Sequence, residues 1–298
     1  MEDLVKIKGD AAGIDVGSEK IFIATTASEE VVNYNTFTES YREAIKYLKD
    51  KEIKSIVMEA TGVYWIAFYE MLDSEGFEVY VVNGKHAKNV PGRKTDVLDC
   101  QWLRTLHSYG LLRASFIPAQ EIRTLRSYVR LRDDNISMGS QHILHMQKAL
   151  ELMNIKLTNV ISHITGLSGL RILKAIIGGQ TDPWKLLELC DKSIKDKKEK
   201  EVLESLKGNY RQEHIFLLKQ AVEGWEFYQG RINKCDKEIE KLLKEMTKDK
   251  KNIQSKGPSK HNNSPNRMQI ESLHTLILKL TDEKDTEKLV SRHICNVA

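Results

Sequence analysis

Four acidic residues are spaced as a phosphodiester-processing site would need them. Asp15 lies inside GIDVGSEKIFIATT, an apolar run that reads as a strand, and Glu59 closes a second apolar run in SIVMEATG. Asp96 and Asp99 stand three residues apart in RKTDVLDCQWL, on one face of an expected helix. A carboxylate in a buried strand is costly unless something binds it. Acids at strand ends and on a neighbouring helix can converge where α/β sheets bind ligands. Four hard oxygen donors suit two Mg²⁺ (or Mn²⁺) ions, one activating an attacking water or hydroxyl and the other steadying the leaving oxygen. Each acid alone has a plainer reading: a turn aspartate before Gly17, a strand-end glutamate, a solvated Asp pair. Taken in order, strand Asp, strand Glu and helical DxxD are harder to explain that way.

The elements that must position these acids follow from periodicity. The first ~115 residues alternate strand-like and helix-like patterns, as an α/β domain does. AAGIDVGS and KIFIATTA are strands joined by a Gly17-Ser18 turn, and VVNYNTFT is a third. SYREAIKYLKD is a helix, with Ser40 and Glu43 spaced as a capping box and Tyr41, Ile45 and Leu48 on its apolar side. SIVMEA and FEVYVVN are further strands, separated by a helix in TGVYWIAFYEMLDSEG. The DxxD helix carries Val97, Leu98, Trp102, Leu103 and Leu106 inward.

After Pro118 strand signals end. Two long helical stretches, one from Glu121 and one from His214, flank short ones in GLRILKAII and TDPWKLLELC. In the latter Asp182 is an N-cap and Pro183 occupies the first helical position. The long pair predicts an antiparallel hairpin or coiled coil, an arm or oligomerisation device. The domains expected are 1–115, an α/β nuclease-like domain; 116–250, helical; and 251–298, a linker with the start of another domain. The Lys-, Asn-, Ser- and Pro-rich stretch near 248–265 reads as linker.

Composition bounds the rest. The 298 residues are 41% hydrophobic and 30% charged, which is globular. Cys100, Cys190, Cys235 and Cys295 form no CxxC pair, so neither a zinc site nor a disulfide framework is expected. No run approaches a membrane span and no signal peptide is evident, so a cytoplasmic protein is expected. Net charge is only +4, but it is unevenly spread. Lys85, Lys88, Arg93, Lys94, Arg104, Arg113, Arg123, Arg126, Arg130 and Arg132 face three acids in the same stretch, Asp96, Asp99 and Glu121. That asymmetry is a footprint for phosphates, with Lys85, Lys88, Arg93, Lys94, Arg104, Arg123, Arg126 and Arg130 the candidate contacts. The same arginines can also simply solvate a helix. Tyr64 and Trp65 follow Glu59 and suit either base stacking or core. His86 and His107, near the acids, fit phosphate contact or packing better than Mg²⁺, which prefers oxygen.

GIDVGSEK, MEATGVYW and VNGKHAKNVPGRKTDVLDCQWL resemble the DEDD-type transposases with a RuvC-like nuclease domain, the bridge-RNA-guided recombinases of one large group of insertion sequences. The likeness continues through TGLSGLRILKAIIGGQTDPWKL and LKGNYRQEHIFLLKQAVEGWEFYQGRINKCDKEIEKLL. It implies an RNase H-like (RuvC-like) α/β domain followed by an all-α region with a long antiparallel helical hairpin. It assigns the acidic tetrad to Asp15, Glu59, Asp96 and Asp99, with Mg²⁺ or Mn²⁺ as cofactor. It implies DNA as substrate and a guide RNA; the long helices, which usually pair, suggest a homo-oligomer. Cys100 stands where the family usually has Ala. The family also carries a C-terminal domain with a nucleophilic serine in a Ser-Gly-Gly-like setting, and no such setting follows Lys250. A truncated, frameshifted or split copy is therefore expected. Two other readings remain: a non-catalytic nucleic-acid-binding remnant, and a phosphotransferase of the actin and sugar-kinase type. The latter lacks the second glycine-rich phosphate loop it would need.

Overall fold

The computed structural model describes residues 7–25, 30–83 and 96–248, the side chains of residues 96–98 excepted. The chain forms two compact units, one through Pro118 and one from Ala119 onward.

Among the described residues the first unit is built on five short strands: β1 (Ala11–Val16), β2 (Lys20–Ala24), β3 (Val32–Asn35), β4 (Ser55–Glu59) and β5 (Glu78–Val82). Their spatial order is β3-β2-β1-β4-β5. β1, β2 and β3 pair antiparallel, while β4 runs parallel to β1 and β5 parallel to β4. The turn between β1 and β2 closes with the Gly17 N–H donating to the Lys20 carbonyl at 2.9 Å.

Side-chain alternation splits the strands into two faces. Ile14, Val16, Ile21, Ile23, Ile56, Met58 and Val81 pack with Tyr41, Ile45, Leu48, Phe68 and Leu72. Those partners come from α1 (Thr38–Asp50) and α2 (Trp65–Ser74), which therefore cover one face. The opposite face packs Val57 and Val82 against Leu103 of α3 (Asp96–Ser108). A mixed sheet covered on both faces, followed by helices, agrees with an α/β RNase H-like unit and a helical region after it.

The expected capping box is not used. α1 begins at Thr38 with Phe37 as its N-cap and no side-chain cap bond. Tyr41 N–H donates to the Phe37 carbonyl at 2.9 Å, closing the first turn before Ser40 can act as a cap.

The second unit pairs α4 (Gln120–Leu152) with α8 (Gln212–Met246). They run in opposite directions. Leu125 and Val129 meet Ile239 and Leu243, Arg132 meets Asp236, and the His142 ring meets that of Tyr228. Between them come α5 (Leu167–Ile177), α6 (Pro183–Leu187) and α7 (Lys192–Ser205). Asp182 caps α6 as expected, its carboxylate accepting from the Trp184 N–H at 3.0 Å. These shorter helices are more than a connection between two arms. Ile172, Leu173, Ile176, Leu186 and Val202 share one apolar core with Met146, Leu150, Leu218 and Trp225 of the long pair. Among the described residues no helix is long and apolar enough to cross a membrane.

Candidate active site

Asp15 occupies the last turn-ward half of β1, opposite Phe22 of β2. β1 and β4 pair in parallel with Gly13 beside Val57 and Ile14 beside Met58. Asp15 and Glu59 are the next residues of the two strands, just past the last paired position. Glu59 in turn pairs with Val82 of β5. In a parallel pair, residues side by side point to the same face, and neighbouring strands lie about 4.8 Å apart. Asp15 and Glu59 therefore leave the C-terminal ends of adjacent strands together. They do so on the face that α3 covers.

α3 brings the other two acids to the same end. It crosses over β1, and Asp99 sits one residue before Cys100, whose backbone meets Gly13. The electrostatics agree with that placement. Burial pushes the Cys100 thiol up to about 12, and the carboxylates of both Asp15 and Asp99 add to the shift. Both acids thus act on one buried sulfur. Asp15, Glu59 and Asp99 are each partly buried. Asp96 opens α3, one turn before Asp99, and its side chain lies outside the described residues. So do the predicted phosphate contacts Lys85, Lys88, Arg93 and Lys94, and His86 with them.

The donor set fits a hard divalent cation. Carboxylate oxygens are the hard donors that Mg²⁺ and Mn²⁺ prefer. Among the described residues no group of three or more His, Cys, Asp and Glu side chains stands close enough to hold an ion without adjustment.

Several other expectations resolve differently. Arg104 was a candidate phosphate contact, but it is only 6% exposed, and its Nε donates to the Thr25 carbonyl at 2.7 Å. Its place on the sheet side of α3 turns it inward, where it ties the helix to the end of β2. Burial lowers its pKa below the usual arginine value. His107 takes the packing reading expected as one of its two: it is 3% exposed, with Nε2 2.8 Å from the Ser55 hydroxyl. Burial, with the Lys8 ammonium nearby, lowers it to about 4. Lys8 also donates to Ser55 and Glu78, and the Tyr80 hydroxyl donates to Glu78. This polar cluster at the far end of α3 gave no sequence signal, because its members come from four separate segments.

In the second unit Arg130 is exposed, whereas Arg123 and Arg126 are partly buried. Burial and the neighbouring Arg130 charge lower the Arg126 pKa. Arg132 is fully buried, its Nε 2.6 Å from Asp236. Tyr64 is exposed beside the Glu59 strand end, while Trp65 packs toward the α1 and α2 core.

Residues 12–155 match a DEDD transposase family model, described as Transposase. The matched stretch takes in β1, β4 and α3, and with them all four acids. It supports DNA transposition as the general function and DNA as a partner. None of the curated proteins matches the chain.

Proposed function

We propose that this protein is a metal-dependent DNA transposase or recombinase, with Asp15, Glu59, Asp96 and Asp99 as its acidic tetrad. One observation carries the reading. Asp15 and Glu59 leave adjacent parallel strands on the face covered by the helix bearing Asp96 and Asp99, within the stretch similar to transposases.

In this reading the strands fix Asp15 and Glu59, because neither can move without breaking sheet pairing. α3 supplies Asp96 and Asp99 from the opposite side. Together they would hold Mg²⁺ or Mn²⁺, which supplies Lewis-acid stabilisation of the attacking and leaving oxygens of a phosphodiester. The carboxylates orient the attacking water or 3′-hydroxyl and accept its proton. The P–O bond to the new oxygen forms as the bond to the departing 3′ or 5′ oxygen breaks. Exposed basic residues such as Arg130 hold the DNA backbone by charge. A guide RNA and assembly through α4 and α8 belong to the same proposal.

The test is nicking of supercoiled DNA with Mn²⁺ or Mg²⁺, comparing the native chain with Asp15→Asn. The expected result is a loss of about 10²-fold or more, as when one preorganised charge is removed from such a site. Unchanged nicking in Asp15→Asn overturns the tetrad. Salt-dependent DNA binding with no cleavage under either metal, in the native chain as well, supports the binding-only alternative instead.

A further inference from the structure

Gly13 stands in the interior of β1, where a glycine weakens a strand and calls for a reason. The reason is on the α3 side. A Cβ built at Gly13 would lie 2.1 Å from the Cys100 carbonyl oxygen, 2.5 Å from the Arg104 amide nitrogen and 2.8 Å from the Arg104 Cβ. Two of these three neighbours are backbone, so no side-chain rotation relieves them. α3 thus rests directly on the strand backbone at the one residue that has no side chain.

That contact lies between the acids. Gly13 is two residues before Asp15 on the same face of β1, and Cys100 directly follows Asp99 on α3. Cys100 itself is fully buried. Elsewhere the helix is held by side chains: Leu103 on Val57 and Val82, Arg104 on the Thr25 carbonyl, and His107 on Ser55. These fix its direction and its far end. The separation of helix and strand at the acidic end is set at Gly13.

We infer that Gly13 is a positioning residue: by admitting the α3 backbone onto β1, it sets the distance between the strand acids Asp15 and Glu59 and the helix acids Asp96 and Asp99. The inference rests on the proposed tetrad. Real Cβ contacts essentially stop at 3.0 Å, so a methyl at position 13 drives α3 outward. A misplacement of about 1 Å at a reacting centre costs on the order of 10²-fold in rate.

The experiment measures Mn²⁺ affinity by electron paramagnetic resonance, Mn²⁺-dependent DNA nicking and thermal stability, in the full chain. Four variants are compared. Gly13→Ala adds a methyl under α3. Val57→Ile adds one carbon at the neighbouring position of the same interface and is the milder form, kept in case Gly13→Ala does not fold. Val57→Ala removes carbons there, loosening the interface without pushing the helix. Asp15→Asn tests the tetrad itself.

The expected result is a tenfold or greater weakening of Mn²⁺ binding and about 10²-fold slower nicking in Gly13→Ala, with a smaller loss of the same kind in Val57→Ile. Val57→Ala should lose stability yet keep Mn²⁺ affinity within about twofold. If Mn²⁺ affinity follows stability alone, so that Val57→Ala is as impaired as the enlarged variants, the positioning role is overturned. If Asp15→Asn abolishes Mn²⁺ binding while Gly13→Ala and Val57→Ile retain it, the tetrad stands and only this inference fails. If Asp15→Asn binds Mn²⁺ as the native chain does, the tetrad fails, and the role given to Gly13 fails with it.

Discussion

Arg104 and Arg130 look alike in the sequence, since each is a basic residue in a positively charged stretch. The structure separates them. Arg104 is buried and bonded to the Thr25 carbonyl, whereas Arg130 is exposed. Their alanine variants should therefore fail in different ways. Arg130→Ala should lower the slope of log affinity against log salt for DNA by about one, with stability unchanged. Arg104→Ala should leave that slope alone and lower the unfolding midpoint, because it removes a buried hydrogen bond to the Thr25 carbonyl, at about 1–3 kcal/mol. Salt-titrated binding and urea unfolding distinguish the two outcomes. Arg132 is a third case. Its guanidinium is buried against Asp236, and truncating one member of a buried pair takes a close counter-charge from the other. Asp236→Ala should destabilise by about 3–5 kcal/mol, while the joint change Arg132→Met with Asp236→Leu should be close to neutral. Chemical denaturation of the three proteins checks this.

At the scale of elements, α3 is the piece on which the site depends. Its near end carries Asp96 and Asp99, and its far end is fixed by His107 on Ser55, with Lys8, Glu78 and Tyr80 around them. The Tyr80 and His107 rings lie 4.7 Å apart, and the Lys8 ammonium sits 3.8 Å from the Tyr80 ring centre. His107 titrates near 4 in the folded protein, below the ordinary value of 6.5. The unfolded chain therefore takes up the proton first. The stabilising effect of neutral His107 is complete above pH about 6.5, erodes as pH falls, and is gone below about 4. Over that window the loss is on the order of 3 kcal/mol at most. Glu78, held down to about 2 by Tyr80 and Lys8, acts in the same direction at lower pH. Its contribution is present above about 4.5 and is lost as pH falls toward 2. Urea midpoints measured from pH 7 to 4 should fall steeply in the native chain and less steeply in His107→Gln.

At the scale of the whole molecule, the acids and the long helix pair belong to different units. The α/β unit holds the acids, and its two faces serve two ends. α1 and α2 on one side complete a dry core, while α3 on the other closes over the strand ends where Asp15 and Glu59 emerge. The second unit joins a long helix pair to an apolar core shared with α5, α6 and α7, so the pair does not depend on its own seam alone. Disrupting that shared core should be felt as lost stability without lost metal chemistry. Leu218→Ala, at a fully buried position, should cost about 2–5 kcal/mol by denaturation. Mn²⁺ affinity should remain that of the native chain.

Local rules in the sequence determined most of the elements. Alternation marked the strands, and the three-residue spacing placed Asp96 and Asp99 on one helix. Asp182 before Pro183 set the start of α6, because a cap is satisfied within three residues. The motif order around Asp15, Glu59, Asp96 and Asp99 also pointed to a transposase-like α/β unit, and the family match over residues 12–155 agrees. What no local rule carries is which residues meet across segments. Only the tertiary structure decided that Asp15 and Glu59 leave neighbouring strands at the same end, since parallel pairing depends on a crossover of some forty residues. Only it turned Arg104 inward and drew His107 to Ser55, because burial is a property of the packed helix and not of the residue. The same holds for Gly13. In the sequence it is a weak point in a strand. In the structure it is where a helix backbone rests on the sheet, because at that one position no side chain stands between them.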